Sequence, residues 1–428
     1  MPIFTPSQAS AQMKNRKISH LILKRHAAKT GRIIVFTGAR QTGKTTLARK
    51  LFHSYEYISI EDPILRGQYS RLTAQQWKNA YPLAILDEIQ KEPGLIESIK
   101  SVYDQWADPK YILLGSSQLL LLEKVKESLA GRCAIFELFP LTLPEIKTQG
   151  WESPVEESFF QSIIREQSVA IDPIPSALID KEVANKQQAW QHYLKFGGYP
   201  AVVDPELDED ERYDWLQNYV RTYLERDIRD LASFRDLDPF IKLQHYLALN
   251  TGNLINLTAI ATQLGVTSKT VQRYIRYFEL SYQAVLLPAW ARNKNKRLVK
   301  TPKVHYLDNG IVQAVLQKRG GLTGNEFESL VIAEMYKQIK NIFAQATFYH
   351  FRTQDGREVD LLIEVSDGYY AFEIKLADKI RRQDIRHLKN LEQFLDKPLL
   401  HAFLLSNDNE TQLFDSNITA LNAAWFLG

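Results

Sequence analysis

Short apolar runs alternate with amphipathic stretches over the first third of the chain. Runs at residues 33–37, 57–60, 83–86, 111–114 and 134–136 have the length of buried strands, and helical patterns separate them. Strands that alternate with helices predict a parallel sheet covered on both faces. We therefore expect an α/β domain over residues 1–150.

The periodicity changes in the rest of the chain. Residues 151–235 are mostly helical. At 257–279, two helical stripes flank Gly265-Val266, which predicts a helix-turn-helix. We expect a glycine-containing linker at 304–325. A helix at 326–340, followed by strands at 358–365 and 369–376 around the turn Ser366-Asp367-Gly368, predicts an α+β unit at the end.

Composition limits the classes of protein that fit. Hydrophobic residues make up 45% and charged residues 24% of the 428 positions, as in globular proteins. The net charge of +3 creates no overall attraction to nucleic acid, so any such signal must be local. A single cysteine, Cys133, excludes an intrachain disulfide. With no apolar leader and no run of membrane-spanning length, we expect a cytoplasmic protein without a membrane partner.

A phosphate-binding motif follows the first strand. Residues 38–45 read GARQTGKT, which fits G-x-x-x-x-G-K-[ST] between a strand and a helix. Glycines allow backbone N–H groups to surround phosphate oxygens, and the helix N-terminus adds positive charge. Lys44 is expected to reach the β- and γ-phosphates, and Thr45 to bind Mg²⁺. The expected ATP contacts are Gly38, Ala39, Arg40, Gln41, Thr42, Gly43, Lys44, Thr45 and Thr46.

Two carboxylates follow the apolar run at 83–86. Asp87 is expected to hold the Mg²⁺ shell, and Glu88 to orient or deprotonate the attacking water. The alternative is a strand end with a solvated acidic cap. The upstream phosphate motif favours hydrolysis, and a water-activating Glu88 argues against a small-molecule kinase.

Further residues resemble AAA+ ATPases. Residues 114–117 look like the AAA+ sensor strand, which implies a small polar side chain near the γ-phosphate. Either Ser116 or Ser117 could serve, and we take Ser116 as the candidate; simple turn chemistry is the alternative. Arg132 precedes the last strand, where AAA+ proteins hold an arginine finger that stabilises transition-state charge on a neighbour's ATP. The alternative is a surface arginine. If Arg132 acts in trans, the protein is a homo-oligomer.

The whole chain resembles a large family of prokaryotic ATPases that join an AAA+ domain, a winged-helix segment and a restriction-endonuclease-like domain. The matching landmarks lie at residues 38–46, 86–88, 114–117, 129–132, 139–141, 196–200, 223–227, 301–303 and 307–310. The resemblance implies an AAA+ domain at 1–150, a helical lid or connector at 151–235, a winged helix-turn-helix at 236–312 and a PD-(D/E)XK nuclease-like domain at 313–428. Arg221 and Arg226 are the candidates for the lid arginine that contacts ATP.

Positive charge is concentrated around the helix-turn-helix. Residues 258–303 contain nine Lys and Arg against one acid, Glu279, which is typical of a DNA-binding surface. The expected nucleic-acid contacts are Lys269, Gln272, Arg273, Arg276, Arg292, Lys294, Lys296 and Arg297. The alternative is a winged helix that mediates oligomer contacts, in which the basic loop at residues 291–303 is merely solvated.

The C-terminal residues look like the nuclease pattern of a helix glutamate, a strand aspartate and Glu-x-Lys. Asp360 and Glu373 would bind Mg²⁺ or Mn²⁺, Lys375 would activate water, and Glu328 would contact a second metal or its waters. The alternatives are a surface hairpin with routine charge pairs, or a fold kept only for binding. The protein would then be a nucleotide-dependent switch or scaffold.

Overall fold

The computed structural model describes residues 13–115, 125, 127–168, 180–224, 237–297 and 300–428. The strands in these ranges are β1 Ile33–Thr37, β2 Glu56–Ser59, β3 Leu83–Asp87, β4 Lys110–Leu114, β5 Cys133–Glu137, β6 Ala284–Leu287, β7 Lys303–Tyr306, β8 Thr347–Arg352, β9 Glu358–Glu364, β10 Tyr369–Ile374, β11 Leu399–Ser406, β12 Gln412–Asp415 and β13 Ile418–Asn422.

The α-helices in the same ranges are α1 Ser19–Ala27, α2 Lys44–Leu51, α3 Pro63–Tyr69, α4 Ala74–Ala80, α5 Gly94–Gln105, α6 Leu143–Lys147, α7 Phe159–Glu166, α8 Val183–Phe196, α9 Pro200–Val203, α10 Glu209–Tyr219, α11 Asp238–Leu249, α12 Leu257–Leu264, α13 Ser268–Leu280, α14 Lys294–Arg297, α15 Asn309–Val315, α16 Gly324–Ile342 and α17 Ala423–Leu427. Short 3₁₀ turns lie at Ile89–Lys91, Arg382–Ile385 and Leu391–Phe394, and Val220–Leu224 forms a π turn.

The first sheet has the strand order β2-β3-β4-β1-β5, and every pairing is parallel. All five residues of β1 are buried, because helices cover both faces of the sheet. The predicted α/β class and the parallel sheet are confirmed. All strands point the same way, so the residues that follow β1 and β3 reach one edge of the sheet together.

The C-terminal sheet is mixed and has the order β12-β13-β11-β10-β9-β8. Strand β11 pairs in parallel with β10 and β13, whereas β8, β9 and β10 form an antiparallel meander. Helix α16 packs on one face, where Leu330 shares a core with Phe372 and Phe403. The predicted separate C-terminal α/β unit is therefore present.

Between the sheets lies a helical unit that we call the helix-pair module, residues 238–306. The side chain of Asn256 caps α12, which ends at Gly265 with φ +67°, and Thr267 caps α13. The predicted helix-turn-helix geometry of these residues is confirmed. Strands β6 and β7 then pair antiparallel.

The prediction of a linker at residues 304–325 was wrong. Residues 304–325 are not a linker, because most of strand β7 and all of helix α15 lie there, and Asn309 to Ala314 are buried. The expected boundary between 312 and 313 falls inside α15. Within the predicted lid or connector at 151–235, α7 packs with the C-terminal sheet through Phe160 and Ile163, and α10 packs beside the phosphate motif through Leu216 and Tyr219.

The segments are joined by buried polar contacts. The Gly198 amide donates to Oδ2 of Asp308 at 2.8 Å, and the Leu143 amide donates to Oε1 of Glu334 at 2.7 Å. In the described part of the chain, no helix combines the length and apolar character needed to cross a membrane.

Candidate nucleotide site and carboxylate pocket

The phosphate motif adopts a loop that only glycine permits at two positions. Gly38 has φ +147°, and a Cβ there would lie 2.1 Å from the Leu138 carbonyl oxygen. Gly43 has φ +87° and immediately precedes α2. The first glycine is therefore required by the close approach of two chain segments, and the second by the left-handed turn into the helix.

The reactive side chains of the motif converge on the end of β3. Lys44 Nζ donates to the carbonyl oxygens of Gly38 and Ala39 at 3.0 and 2.7 Å, which holds the ammonium against the loop. Thr45 Oγ1 donates to Asp87 Oδ2 at 2.7 Å. The side chains of Thr45 and Asp87 are thus close enough to belong to the coordination shell of one Mg²⁺ ion.

Glu88 adopts a backbone conformation that is unusual for a side-chain-bearing residue. Its φ is +57°, and its amide donates to Asp87 Oδ1 at 3.0 Å. Gln90 donates from Nε2 to a carboxylate oxygen of Glu88. Left-handed residues of this kind cluster at functional sites, where the surrounding structure compensates their strain.

Two residues of this site were missed by sequence reasoning. Tyr57, on the neighbouring strand β2, donates to Asp87 Oδ2 at 2.8 Å, and burial, reinforced by the Asp87 charge, raises the pKa of Tyr57. Arg16 is buried and donates to the Thr42 carbonyl at 3.2 Å and to the Phe139 carbonyl at 2.5 Å. Tyr57 thus holds the Asp87 carboxylate in place, and Arg16 links the phosphate loop at Thr42 to Phe139. Neither contact has a local sequence signal.

The remaining loop residues have distinct environments. Thr42 is buried, Gln41 is exposed with φ +62°, and the Arg40 carbonyl accepts a hydrogen bond from Tyr219 at 3.2 Å. Ala39 is buried and Thr46 is exposed. Ser116 and Arg226 lie outside the described residues, and Arg221 is exposed in the π turn after α10.

Arg132 lies far from its own phosphate loop. It directly precedes β5, at the edge where the parallel strands begin, while the loop follows the opposite end of β1. Its guanidinium donates to both carboxylate oxygens of Asp104, at 2.7 and 3.2 Å. Arg132 is thus positioned on the surface and does not contact the nucleotide site of the same chain.

Four predicted nucleic-acid residues share the exposed side of α13, which we call the basic face: Lys269, Gln272, Arg273 and Arg276. They line an open groove of about 1050 Å³ whose other wall includes Leu254, Lys300 and Pro302. Arg276 also pairs with Glu279 at 3.3 Å. The structure therefore brings the helix and the end of the basic loop to one surface.

The basic loop itself is largely attached to the C-terminal domain. The Trp290 amide donates to the His350 carbonyl at 2.7 Å, and exposed Arg292 donates to the Leu395 carbonyl at 3.0 Å. The side chains of Lys294 and Lys296 lie outside the described part of the structure. The loop covers an edge strand instead of projecting as a free wing.

The prediction that Arg297 contacts nucleic acid was wrong. Its guanidinium is buried and pairs with Glu364 at 3.0 Å and with Asp396 at 3.3 Å. It also donates to the hydroxyl of Tyr349 at 3.2 Å. A side chain with these buried partners anchors the loop and is unavailable to phosphates.

The nuclease-like residues line a second cavity of about 740 Å³, the carboxylate pocket. Glu373 and Asp360 are buried on β10 and β9, and Lys375 Nζ lies 3.0 Å from Glu373 Oε2 and 3.9 Å from Asp360 Oδ2. The Ile374 amide donates to Asp360 Oδ2 at 2.8 Å. The predicted trio of Asp360, Glu373 and Lys375 is thus brought together.

Glu328 lines the same pocket but is paired with a different lysine. Its Oε1 accepts from Lys303 Nζ at 2.9 Å, and Lys303 also pairs with Glu358 at 2.8 Å. Burial and the charge of Asp360 raise the pKa of Glu328 to about 8, against the opposing effect of Lys303. Sequence reasoning placed Lys303 among the family landmarks without assigning it to this pocket.

Whether the pocket fits a divalent cation depends on its inner carboxylates. Oε1 of Glu373 is buried and has no hydrogen-bond partner among the described residues. Burial, followed by the charge of Asp360, raises the pKa of Glu373 well above its usual range, which a bound cation would reverse. Among the described residues no group of three or more His, Cys, Asp or Glu side chains is placed to hold a metal ion, and Glu328, the other predicted metal contact, is paired with Lys303. Asp360 and Glu373 fit one cation.

Comparisons with known proteins agree with the first site. Residues 30–147 match the family described as AAA domain. The chain carries an AAA-type ATPase domain. This domain contains the phosphate loop, Asp87 and Glu88, and it implies ATP and usually Mg²⁺ as ligands. Residues 187–321 and 323–426 match two families described as domains of unknown function, DUF8612 and DUF4143.

The similarity extends beyond the AAA domain. Uncharacterized proteins of Mycobacterium tuberculosis and Mycobacterium bovis are each 26% identical over 363 residues, which cover 82% of this chain and 72% of theirs. An uncharacterized protein of Methanocaldococcus jannaschii is 22% identical, over 78% of this chain and 72% of its own. Among solved structures, the Walker-type ATPase of Pyrococcus abyssi has a TM-score of 0.45 and 14% identity, covering 71% of this chain and 98% of that chain.

Proposed function

We propose that the AAA domain hydrolyses ATP with Lys44, Thr45, Asp87 and Glu88 as its working residues. The observation that carries this proposal is the contact of 2.7 Å between Thr45 Oγ1 and Asp87 Oδ2, beside a lysine held against the loop. Hydrolysis needs positive charge at the phosphates and an oriented water. Both can be supplied at this edge of the sheet.

Each side chain has a separate task. Lys44 binds the β- and γ-phosphate oxygens, and Thr45 and Asp87 hold the shell of a Mg²⁺ ion. The ion, when bound, neutralises charge that develops on the phosphates. Glu88, held by Gln90, orients the attacking water and accepts its proton. The loop residues Gly38 to Thr46 supply the remaining contacts.

The experiment is a comparison of ATP binding with ATP turnover in Glu88→Gln. We expect nucleotide affinity within about threefold of wild type and turnover lowered at least about 100-fold, because a general base contributes roughly 10²–10⁴-fold. Glu56→Gln, at an exposed position at the start of β2, is the matched control and should retain wild-type turnover. Equal turnover in Glu88→Gln and Glu56→Gln would remove Glu88 from this role.

Arg132 is proposed to act on the ATP of a neighbouring copy. It is partly exposed and lies at the opposite end of the sheet from its own loop, which suits a contact in trans. Arg132→Ala and Lys44→Ala should each be inactive alone, and mixing them should restore turnover because some interfaces then hold one intact site. Mixtures that stay inactive, although both variants are folded and assemble, would contradict the trans role.

We further propose that the protein engages DNA along the basic face. The supporting observation is continuity: Leu254 lines both the basic groove and the carboxylate pocket, and the segment that supplies Thr301 and Pro302 to the groove supplies Lys303 to the pocket. A strand bound at Arg273 would therefore lead toward Asp360. Exposed cations positioned for backbone phosphates give salt-dependent binding.

The DNA proposal is tested by charge reversal. Lys269→Glu with Arg273→Glu should weaken DNA binding at least about tenfold and lower the salt slope by roughly one unit for each phosphate that the protein no longer neutralises. Lys24→Glu with Lys29→Glu, on exposed positions near α1, is the control for net charge. If both double variants bind like wild type, the scaffold alternative, in which these parts mediate protein contacts, is favoured.

Cleavage is a separate proposal for the carboxylate pocket. Asp360 and Glu373 would hold one Mg²⁺ or Mn²⁺, and Lys375, 3.0 Å from Glu373, would orient the water. Supercoiled plasmid should be nicked by wild type with Mg²⁺ or Mn²⁺ and remain intact with Asp360→Ala. No cleavage by wild type with either ion would leave this domain a binding unit.

A further inference from the structure

Lys303 enters the carboxylate pocket from the helix-pair module and not from the C-terminal domain. It is the first residue of β7, and its backbone is fixed on both sides, by pairing with Leu287 and by a bridge to Leu254. The Ile255 amide donates to the Pro302 carbonyl at 3.0 Å. The Lys303 side chain is buried. The packing around it therefore fixes its position, unlike that of a lysine on the surface.

The Lys303 ammonium has the environment of a bound cation. It lies 2.9 Å from Glu328 Oε1 and 2.8 Å from Glu358 Oε1, and those two carboxylates come from α16 and β9. Burial opposes its charge, yet the charges of Glu328 and Asp360 keep the pKa of Lys303 raised. The attraction within a buried ion pair offsets the cost of removing both charges from water only when the contact geometry is good and hydrogen bonds satisfy the remaining polar atoms.

Charge balance then limits what else the pocket can hold. The inner pocket has four carboxylates, Glu328, Glu358, Asp360 and Glu373, and two ammonium groups, Lys303 and Lys375. Arg352 and Arg386 lie exposed at its rim. A divalent cation bound in the pocket favours the ionised form of the carboxylates around it. With all four carboxylates ionised, the inner excess of two negative charges is neutralised by one such cation. Oε1 of Glu373 is buried and has no hydrogen-bond partner among the described residues, and the other oxygen of this carboxylate lies 3.0 Å from Lys375, not against Lys303.

We propose that Lys303 takes the place of a second divalent cation, so that the pocket holds a single cation at Asp360 and Glu373. This inference rests on the proposed metal binding of the carboxylate pocket. It makes the pocket a shared site, because the module that carries the basic face supplies one of its charges. Lys303 is a positioning residue: it fixes Glu328 and Glu358 and repels a second ion from them.

The test is Mn²⁺ binding measured by electron paramagnetic resonance on the full chain without nucleotide. Wild type should bind one more Mn²⁺ than Asp360→Asn. Lys303→Met should bind one further Mn²⁺ beyond wild type, and Lys303→Met with Glu328→Gln should return to the wild-type number, because Glu328 is the ligand that Lys303 otherwise occupies. Lys303→Arg keeps the charge and should bind as wild type does.

A second variant keeps the test decisive if Lys303→Met does not fold. Glu328→Gln alone should retain the wild-type ion with affinity within about threefold, and loss of that ion, as in Asp360→Asn, would overturn the inference. One ion in both wild type and folded Lys303→Met would also overturn it, while leaving the metal proposal intact. No Mn²⁺ dependent on Asp360 in any variant would contradict the metal proposal and this inference together.

Discussion

The hydroxyl of Tyr282 lies 3.0 Å from Oγ1 of Thr37, the last residue of the strand that leads into the phosphate loop. The same hydroxyl donates to Oε1 of Glu137 at 3.2 Å, and Oε2 of Glu137 accepts from Lys340 at 3.1 Å. Tyr282 belongs to the helix-pair module and Lys340 to α16. The ends of β1 and β5 are therefore tied directly to the two parts of the chain that form the basic face and the carboxylate pocket.

Removal of this hydroxyl should be measurable. Tyr282→Phe cannot form the hydrogen bonds to Thr37 and Glu137, and we expect the free energy of unfolding to fall by about 1–3 kcal/mol, because buried Thr37 and half-buried Glu137 are left without that partner. Urea unfolding measures the change, and ATP turnover shows whether the loop responds. Tyr246→Phe, at a partly buried tyrosine of the same module, is the control. Equal stability of the two variants would show that the Tyr282 hydrogen bonds contribute nothing.

Gly198 holds three segments together. Its amide donates to Asp308 at 2.8 Å, and a Cβ there would lie 2.1 Å from the Leu141 carbonyl oxygen. Gly198→Ala should therefore lower the free energy of unfolding by about 1–3 kcal/mol, or more if the backbone cannot move. The measurement is thermal unfolding.

Gly67→Ala is the matched control for that substitution. Gly67 lies in α3, and an added Cβ would meet nothing within 4 Å among the described residues. Alanine in a helix is favoured over glycine by roughly 0.5–1 kcal/mol, so this variant should be unchanged or more stable. A Gly198→Ala protein as stable as Gly67→Ala would contradict the close approach at Leu141.

Buried histidines predict a loss of stability in mild acid. Burial lowers the pKa of His350 from 6.5 to about 4, and its Nε2 donates to the Thr301 carbonyl at 3.1 Å. Between those pH values the unfolded chain binds a proton that the folded protein does not. The contribution of His350 to the free energy of unfolding is therefore fully present above pH 6.5. The free energy of unfolding falls as the pH is lowered toward 4, by up to roughly 3 kcal/mol for this residue.

His350→Gln should make the free energy of unfolding less dependent on pH. Burial lowers the pKa of His192 and His401 to about 4 as well, so the variant removes only a share of the total slope. Urea unfolding at pH 7 and pH 5 measures it, with the exposed His53→Gln as control. If the stability difference between these pH values is the same in His350→Gln as in His53→Gln, buried neutral His350 does not contribute to it.

The sequence predicted the parts of the fold that local patterns determine. The strands of the first sheet followed from apolar runs, the turn between α12 and α13 from Gly265, and the phosphate loop from spacing that its backbone geometry requires. The convergence of Asp360 and Glu373 followed from their positions on neighbouring strands. In each case the signal lies within a few residues.

Contacts between distant segments were not predicted. Arg16 reaches Thr42 and Phe139, and Lys303 reaches Glu328, because tertiary packing brings these segments together without a pattern at either position. Arg297 had the composition of a phosphate contact, but its ion pairs with Glu364 and Asp396 bury it. Charge in a sequence shows which residues can bind an anion, and packing decides whether they are accessible.

Calorimetric titration of the purified chain with ATP and Mg²⁺ tests the account most directly. Wild type should bind one ATP per chain, and Lys44→Ala should bind at least about tenfold more weakly, since it lacks the ammonium now held by the Gly38 and Ala39 carbonyls. Absence of ATP binding to the folded wild type, or the same affinity in Lys44→Ala, would contradict the nucleotide site on which the other proposals depend.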